Sequence, residues 1–237
     1  MIILSIDSST PVAGIAVSDG KKLLGEVMIN TQNTHSEKLM PMVAQLLHDL
    51  QMSIQQIDAV AITCGPGSFT GLRIGMATAK GIVQGGNKKL IAIPTLDTLA
   101  QNLNHYPGII CPIMNAQKKQ VYTAIYRSGR NKLERLSDYQ AIAVEQLAAQ
   151  LKELKEDIWF VGDGVAAFAD MFQELLGDAC RFADGHNILP RAGALAMLAA
   201  ERASEERFDD LYQAELIYIR KSEAEVQWEA RQQNQNS

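Results

Sequence analysis

The segment MIILSIDSSTPVAGIAVSDGKKLLGEVMIN, Met1 to Asn30, reads as three consecutive strands and frames the rest of the chain. Ile2 to Ile6 is an apolar run of strand length, followed by the polar turn Asp7-Ser8-Ser9-Thr10-Pro11. Val12 to Val17 supplies a second strand, Asp19-Gly20 is a hairpin signal, and Leu23 to Ile29 gives the third. Thr34 with Glu37 three residues later has the form of a capping box, opening a helix to about Leu50. Pro41 lies past the first turn of that helix and predicts a kink or a later start. Strand Ala59 to Thr63, a small-residue helix from about Thr70, strand Leu90 to Ile93 and helix Thr95 to about Asn104 complete the order βββαβαβα.

The second half repeats this order without visible sequence similarity. Ile109 to Met114, Val121 to Tyr126 and Leu133 to Tyr139 read as strands, followed by helix Val144 to Lys155. Strand Ile158 to Val161, helix Val165 to Leu176, a short strand Cys180 to Phe182 and helix Arg191 to Arg202 follow. Two successive βββαβαβα units predict an α/β protein of two lobes with mixed sheets, the plan of the actin-like (ASKHA, ribonuclease-H-like) superfold. Tyr106-Pro107-Gly108 places the boundary, giving lobes 1–106 and 107–225; residues 226–237, ending QQNQNS, are expected to be a disordered tail.

With 237 residues and 47% apolar content the chain can bury a large core. Its 22 basic and 27 acidic residues give a net charge of -5, which argues against autonomous nucleic-acid binding; a polynucleotide would be held through another subunit. Cys64, Cys111 and Cys180 are dispersed and unpaired in pattern, as reduced thiols are in a cytoplasm. The N-terminus has no basic n-region and no run approaches the roughly 18 apolar residues of a membrane span, so a cytoplasmic protein without membrane partners is expected.

Proteins of the superfold grip a nucleotide between the lobes with two hairpin turns, each bearing an acid and small residues, but a fold alone does not assign function. In the first turn Asp7 could orient a metal-bound water and Ser8, Ser9 and Thr10 could donate to phosphate; the same groups could equally satisfy turn amides. The second turn, MNAQKKQV, carries Asn115 where an acid belongs, and Gln117, Lys118, Lys119 and Gln120 in place of glycine. Half of the clamp is missing, which argues against independent ATP hydrolysis while leaving weak nucleotide binding open.

Between the fourth strand and its helix lies CGPGSFTGLRIGMATAKG, Cys64 to Gly81. Gly65, Pro66 and Gly67 make a tight turn that runs through Ser68, Phe69 and Thr70 into the helix. Gly71, Gly75 and Ala79 fall on one helical face and Ala77, Gly81 and Gly85 on another, each interior glycine costing about 1 kcal/mol relative to alanine. Close approach of another backbone is the compensation, either the chain's own sheet or a partner helix. The segment is not a Walker loop, because Leu72-Arg73 follows the last glycine of GPGSFTG. It is not a hydrolase elbow either, since Gly67 directly precedes Ser68 and Phe69 follows it, so the glycines do not have the spacing of GxSxG. Cys64 has no nearby histidine to serve as base, and His35, His48, His105 and His186 include no i, i+4 pair to hold a metal.

The combination of IDSST, HSEKLMP (35–41), GPGSFTGLRIGMATAKG, VYTAIY (121–126), GDG (162–164) and YIR (218–220) closely resembles the bacterial TsaB (YeaZ) family over most of the chain. That resemblance implies an accessory subunit in N6-threonylcarbamoyladenosine synthesis on tRNA. Such proteins are similar to the catalytic TsaD subunit but lack its metal-binding histidines, pair with themselves or with TsaD, and work in a complex with a TsaE-type ATPase. The implied roles are scaffolding without a catalytic residue, metal or required cofactor in this chain, with ATP or ADP binding weak or dependent on the complex, and tRNA contacted mainly through the complex. Carried onto these positions, the partner surface comprises His35, Ser36, Glu37, Leu39, Met40, Val43 and Leu47 on one helix. Gly71, Arg73, Ile74, Gly75, Ala77, Thr78 and Gly81 on the next complete it. The family often has an Asp-Ala-Arg turn where Asn115-Ala116-Gln117 stands, and a proline where Leu216 stands. An actin-fold ATPase or phosphotransferase is the alternative reading, and a metallopeptidase relative a weaker third.

Overall fold

In the computed structural model the described residues are 1–30, 35–129 and 132–220. The capping role expected of Thr34 and the tail expected at 226–237 fall outside them.

The first thirty residues form β1 (Ile2–Asp7), β2 (Val12–Asp19) and β3 (Lys22–Asn30), an antiparallel meander, and β4 (Ala59–Thr63) and β5 (Lys89–Ile93) join parallel to β1. The strand order is β3-β2-β1-β4-β5. Strand periodicity divides the side chains between two faces. Leu4, Ile6, Ile15, Val60 and Ile62 face α1 (His35–Asp49) and α2 (Phe69–Gly86), while Ile3, Ala59, Ala61, Ile91 and Ile93 face the opposite way. Pro41 sits inside α1 without ending it. Asn87 closes α2 in the left-handed conformation.

The second sheet repeats the plan. β6 (Ile109–Asn115), β7 (Gln120–Thr123), β10 (Gln140–Ala143), β11 (Ile158–Val161) and β12 (Cys180–Phe182) take the order β10-β7-β6-β11-β12, matching the first sheet position for position. Two expected strands are corrected here. Val121 to Tyr126 is broken at Ala124-Ile125: β7 pairs with the C-terminal half of β6, and β8 (Tyr126–Ser128) pairs with its beginning. The expected strand from Leu133 to Tyr139 is instead β9 (Leu133–Arg135), which extends β8 as a hairpin, while β10 takes the third-strand position. Ile109, Cys111, Ile113 and Phe160 pack under α4 (Val144–Lys152) and α5 (Gly164–Leu176).

The remaining helices, α3 (Thr95–Gln101) and α6 (Ala192–Ser204), lie between the sheets and cross over. Leu96, Leu99 and Ala100 of α3, from the first half, pack on Ile110, Met114 and Val161 of the second sheet. Leu195, Ala199 and Ala203 of α6, from the second half, cover Ile3, Ala59 and Ile91 of the first. A cut at residue 106 therefore separates the first sheet from the helix that buries one of its faces. The layers run α1/α2, sheet, α6/α3, sheet, α4/α5.

After α6 the chain returns along the first lobe as a strap. The Asp209 backbone pairs with Leu90, its carboxylate accepts from Ala92 N at 2.7 Å, and Ile217 N donates to Cys64 O at 2.7 Å.

Candidate protein-interaction surface

The two turns that would clamp a nucleotide join β1 to β2 and β6 to β7, at equivalent positions of the two sheets. In the first, Asp7 is buried; its Oδ1 accepts from Ser9 N at 2.9 Å, Ser9 Oγ at 2.7 Å and Thr63 Oγ1 at 3.2 Å. Burial pushes the Asp7 carboxyl above its ordinary range, against the pull of the Ser9 and Thr63 hydrogen bonds. Ser8 Oγ donates to Gly71 O at 2.9 Å, and Thr10 Oγ1 accepts from Val12 N at 3.2 Å. The expected phosphate donors are thus turned inward: the protons of Ser8 and Ser9 are spent, and all three hydroxyl residues are buried.

The glycine-rich segment is what encloses them. Ser68 N donates to Ser9 O at 2.7 Å, a Cβ at Gly67 would meet Ser9 O at 2.3 Å, and a Cβ at Gly71 would meet Ser8 O at 2.2 Å. At Gly75 a Cβ would lie 2.0 Å from Ser8 Oγ. His35 Nε2 bonds Thr10 O at 2.8 Å from the start of α1. Gly65-Pro66-Gly67 is held from the other side by the strap, whose Ile217 O lies 2.6 Å from where a Gly65 Cβ would be. Ser68 caps α2, its Oγ accepting from Gly71 N at 3.2 Å. Gly71 thus approaches the backbone, and Gly75 the Ser8 side chain, of the chain's own first turn, which corrects their placement on a partner surface.

In the second turn Asn115 Oδ1 accepts from Gln117 N at 2.9 Å, and Asp163 of the GDG segment accepts from Asn115 N at 3.1 Å. Gln117, Lys118 and Lys119 all have positive φ, a conformation costing about 1–2 kcal/mol per non-glycine residue. Arg220 reaches across from the strap to Ala116 O at 2.9 Å and Gln120 Oε1 at 3.1 Å, fastening this turn. The second turn offers no acid at Asn115, Gln117, Lys118 or Lys119, and in the first turn the Ser8 and Ser9 protons are given to Gly71 O and Asp7 Oδ1. The second turn thus lacks the acid and the glycine of the superfold's clamp, while the first keeps the buried Asp7, whose Oδ2 has no hydrogen-bond partner.

The outer face of α1 and α2 differs from their inner one. Leu39, Val43 and Leu47 are in the core, which removes them from the expected partner surface. Ser36, Glu37, Met40, Arg73, Ala77 and Gly81 are exposed, and Ile74 and Thr78 half-buried beside them. Met40 is 49% exposed. A Cβ at Gly81 or Gly85 would meet nothing within 4 Å. Thr70 is exposed at the start of α2. Phe69 and Tyr218 rings lie 4.7 Å apart, the Arg73 guanidinium sits 3.9 Å over Phe69, and Arg73 Nε donates to Tyr218 Oη at 3.2 Å, so YIR is joined to the glycine segment through Tyr218 and to the second turn through Arg220. These partners of YIR lie about 100 or more positions away in sequence, so the motif by itself does not reveal them.

Cys64 and Cys111 are buried, and burial pushes both thiols up to about 12. Neither is a nucleophile at neutral pH. Among the described residues no group of His, Cys, Asp and Glu is arranged to hold a metal, and no helix is long and apolar enough to cross a membrane.

Two lobes of one sheet plan with helices exchanged between them define an actin-like, ASKHA-type protein. The sequence model of the family described as "TsaD: tRNA N6-adenosine threonylcarbamoyltransferase" matches residues 22–228. The chain is 32% identical to the tRNA threonylcarbamoyladenosine biosynthesis protein TsaB of Bacillus subtilis over 228 residues, covering 96% of this chain and 98% of that one. It is 27% identical to Escherichia coli TsaB, covering 94% and 96%. The solved structure of YeaZ from Pseudomonas aeruginosa matches with a TM-score of 0.79 at 23% identity, over 92% of this chain and 99% of that one, and shows the fold. The chain belongs to the TsaB (YeaZ) family.

Proposed function

We propose that this chain acts in tRNA threonylcarbamoyladenosine biosynthesis as a non-catalytic subunit, docking a TsaD-type catalytic subunit, or a second copy of itself, on the outer face of α1 and α2. The observation that carries the reading is the pair Gly81 and Gly85. Glycine in an exposed helix costs about 1 kcal/mol relative to alanine, and here no internal neighbour requires it. Gly71 and Gly75 already serve the internal contact, so the outer small face, with Met40, Ile74 and Ala77 beside it, is explained by a helix packing from outside. ATP or ADP held in such a complex would meet this chain through groups other than the Ser8 and Ser9 hydroxyls. A TsaE-type ATPase and tRNA would join through the complex.

Gly81→Arg tests this without touching the core. The variant is expected to melt like the parent while losing copurification with a TsaD-type subunit and sedimenting as a monomer. Unchanged assembly would overturn the assignment of the surface. Sustained phosphate release from Mg-ATP by the isolated chain would favour the phosphotransferase reading instead.

A further inference from the structure

Where α3 and α6 meet the β8–β9 hairpin, a pocket of about 530 Å³ opens to solvent, apart from the α1/α2 surface and from the two turns. Its wall is organised around Asp97 in the first turn of α3. Tyr126 and Tyr139 both donate their hydroxyls to Asp97 Oδ1, at 2.6 and 2.8 Å. Burial, and then the Asp97 charge, push both phenols upward, so they remain protonated donors at neutral pH. The Arg135 guanidinium lies 4.2 Å from the centroid of the Tyr139 ring, which fixes a long side chain on a rigid platform.

Leu133 of the hairpin and Met197 and Leu198 of α6 contribute apolar surface to the same lining. Lys132 spans from the hairpin to Glu201 of α6 at 3.0 Å. In a chain of net charge -5 the lining holds three cations, Lys21, Lys132 and Arg135, against two carboxylates. Glu201 is taken by Lys132, which leaves Lys21 and Arg135 facing the single Asp97 carboxylate, whose Oδ1 is held by the two phenols, so one positive charge remains in excess. Apolar surface beside convergent, pre-oriented polar groups is the form of a small-molecule site.

We propose that this pocket binds a small organic anion, a carboxylate or a phosphate ester with an apolar or ring-shaped body, with Arg135 and Lys21 meeting its charge. Nuclear magnetic resonance titrations of the full ¹⁵N-labelled chain with inorganic phosphate, citrate and adenosine 5′-monophosphate at low ionic strength test it. At least one is expected to give saturable shifts centred on the amides of Asn104, His105 and Leu133. Arg135→Ala and Lys21→Ala should each weaken the response by about tenfold, the loss of one charge-assisted contact. Saturation by phosphate and the nucleotide alone would assign phosphate esters, and saturation by citrate alone carboxylates. Absence of saturation with all three at millimolar concentrations would overturn the proposal. So would saturable binding that is unchanged in Lys21→Ala, whose exposed position leaves the fold intact.

Discussion

Gly71 and Gly81 are the same residue in the same helix and do opposite things. A side chain at Gly71 would collide with a backbone carbonyl 2.2 Å away, whereas at Gly81 it would enter open space. Gly71→Ala is therefore expected to lower stability by about 2–3 kcal/mol through forced displacement of the first turn. Gly81→Ala is expected to raise it by about 1 kcal/mol through helix propensity. Urea denaturation of the two variants against the parent measures both. The sequence showed two small faces on this helix and could not say which was internal, because the turn that decides the matter, Ser8-Ser9, lies more than sixty positions away. Leu39, Val43 and Leu47 differ from expectation for a related reason: α1 shows apolar residues over a wide arc, and only its seating on β2 and β3 beside α2 separates them from the exposed Met40.

At the scale of elements, the N-terminal end of α6 is held by the carboxylate of Glu26. Glu26 of β3 accepts from Arg191 Nη2 at 2.5 Å and from Gly193 N at 3.0 Å, so it holds the N-terminal end of α6 against the first sheet. Burial raises its pKa, but hydrogen bonds from Arg191 and Gly193 and the Arg191 charge outweigh that and leave it below the usual glutamate range. A carboxyl whose folded pKa lies below its unfolded one adds stability in full above the unfolded value and loses it as pH falls through the folded one. Glu26→Gln is expected to cost about 2–3 kcal/mol at pH 7 and progressively less below pH 4.5, as the parent also loses its charge. Thermal melts from pH 3 to 8 would trace the convergence. Strands and helices of the first half were legible to within a few residues from their periodicity and turn residues. The second half was harder where Ala124-Ile125 interrupts one apolar run and sends its two parts to different stretches of β6, a consequence of pairing that the run itself does not encode.

For the whole molecule, the exchange of α3 and α6 decides how the chain behaves as a unit. The duplicated order of elements was readable, but the boundary it suggested at Tyr106 was not a boundary between cores. Residues 1–106 alone would leave Ile3, Ala59, Ala61, Ile91 and Ile93 without the helix that covers them. They would also leave Leu96 and Leu99 without the second sheet. That fragment is expected to lack a cooperative melt by circular dichroism, and the full chain to unfold in one calorimetric transition. Two separate transitions in the full chain, or a folded fragment, would contradict this.

The crossing of α6 also bears on how the protein is made. The ribosome releases the strands of the first sheet early, yet their inner face waits for a helix that begins at Ala192. At about 5–20 residues per second the roughly one hundred residues between β5 and α6 take about 5–20 s to synthesise. Throughout that interval the nascent chain carries an uncovered apolar sheet face of the kind trigger-factor-like holdases bind. The lobe translated first is the one completed last.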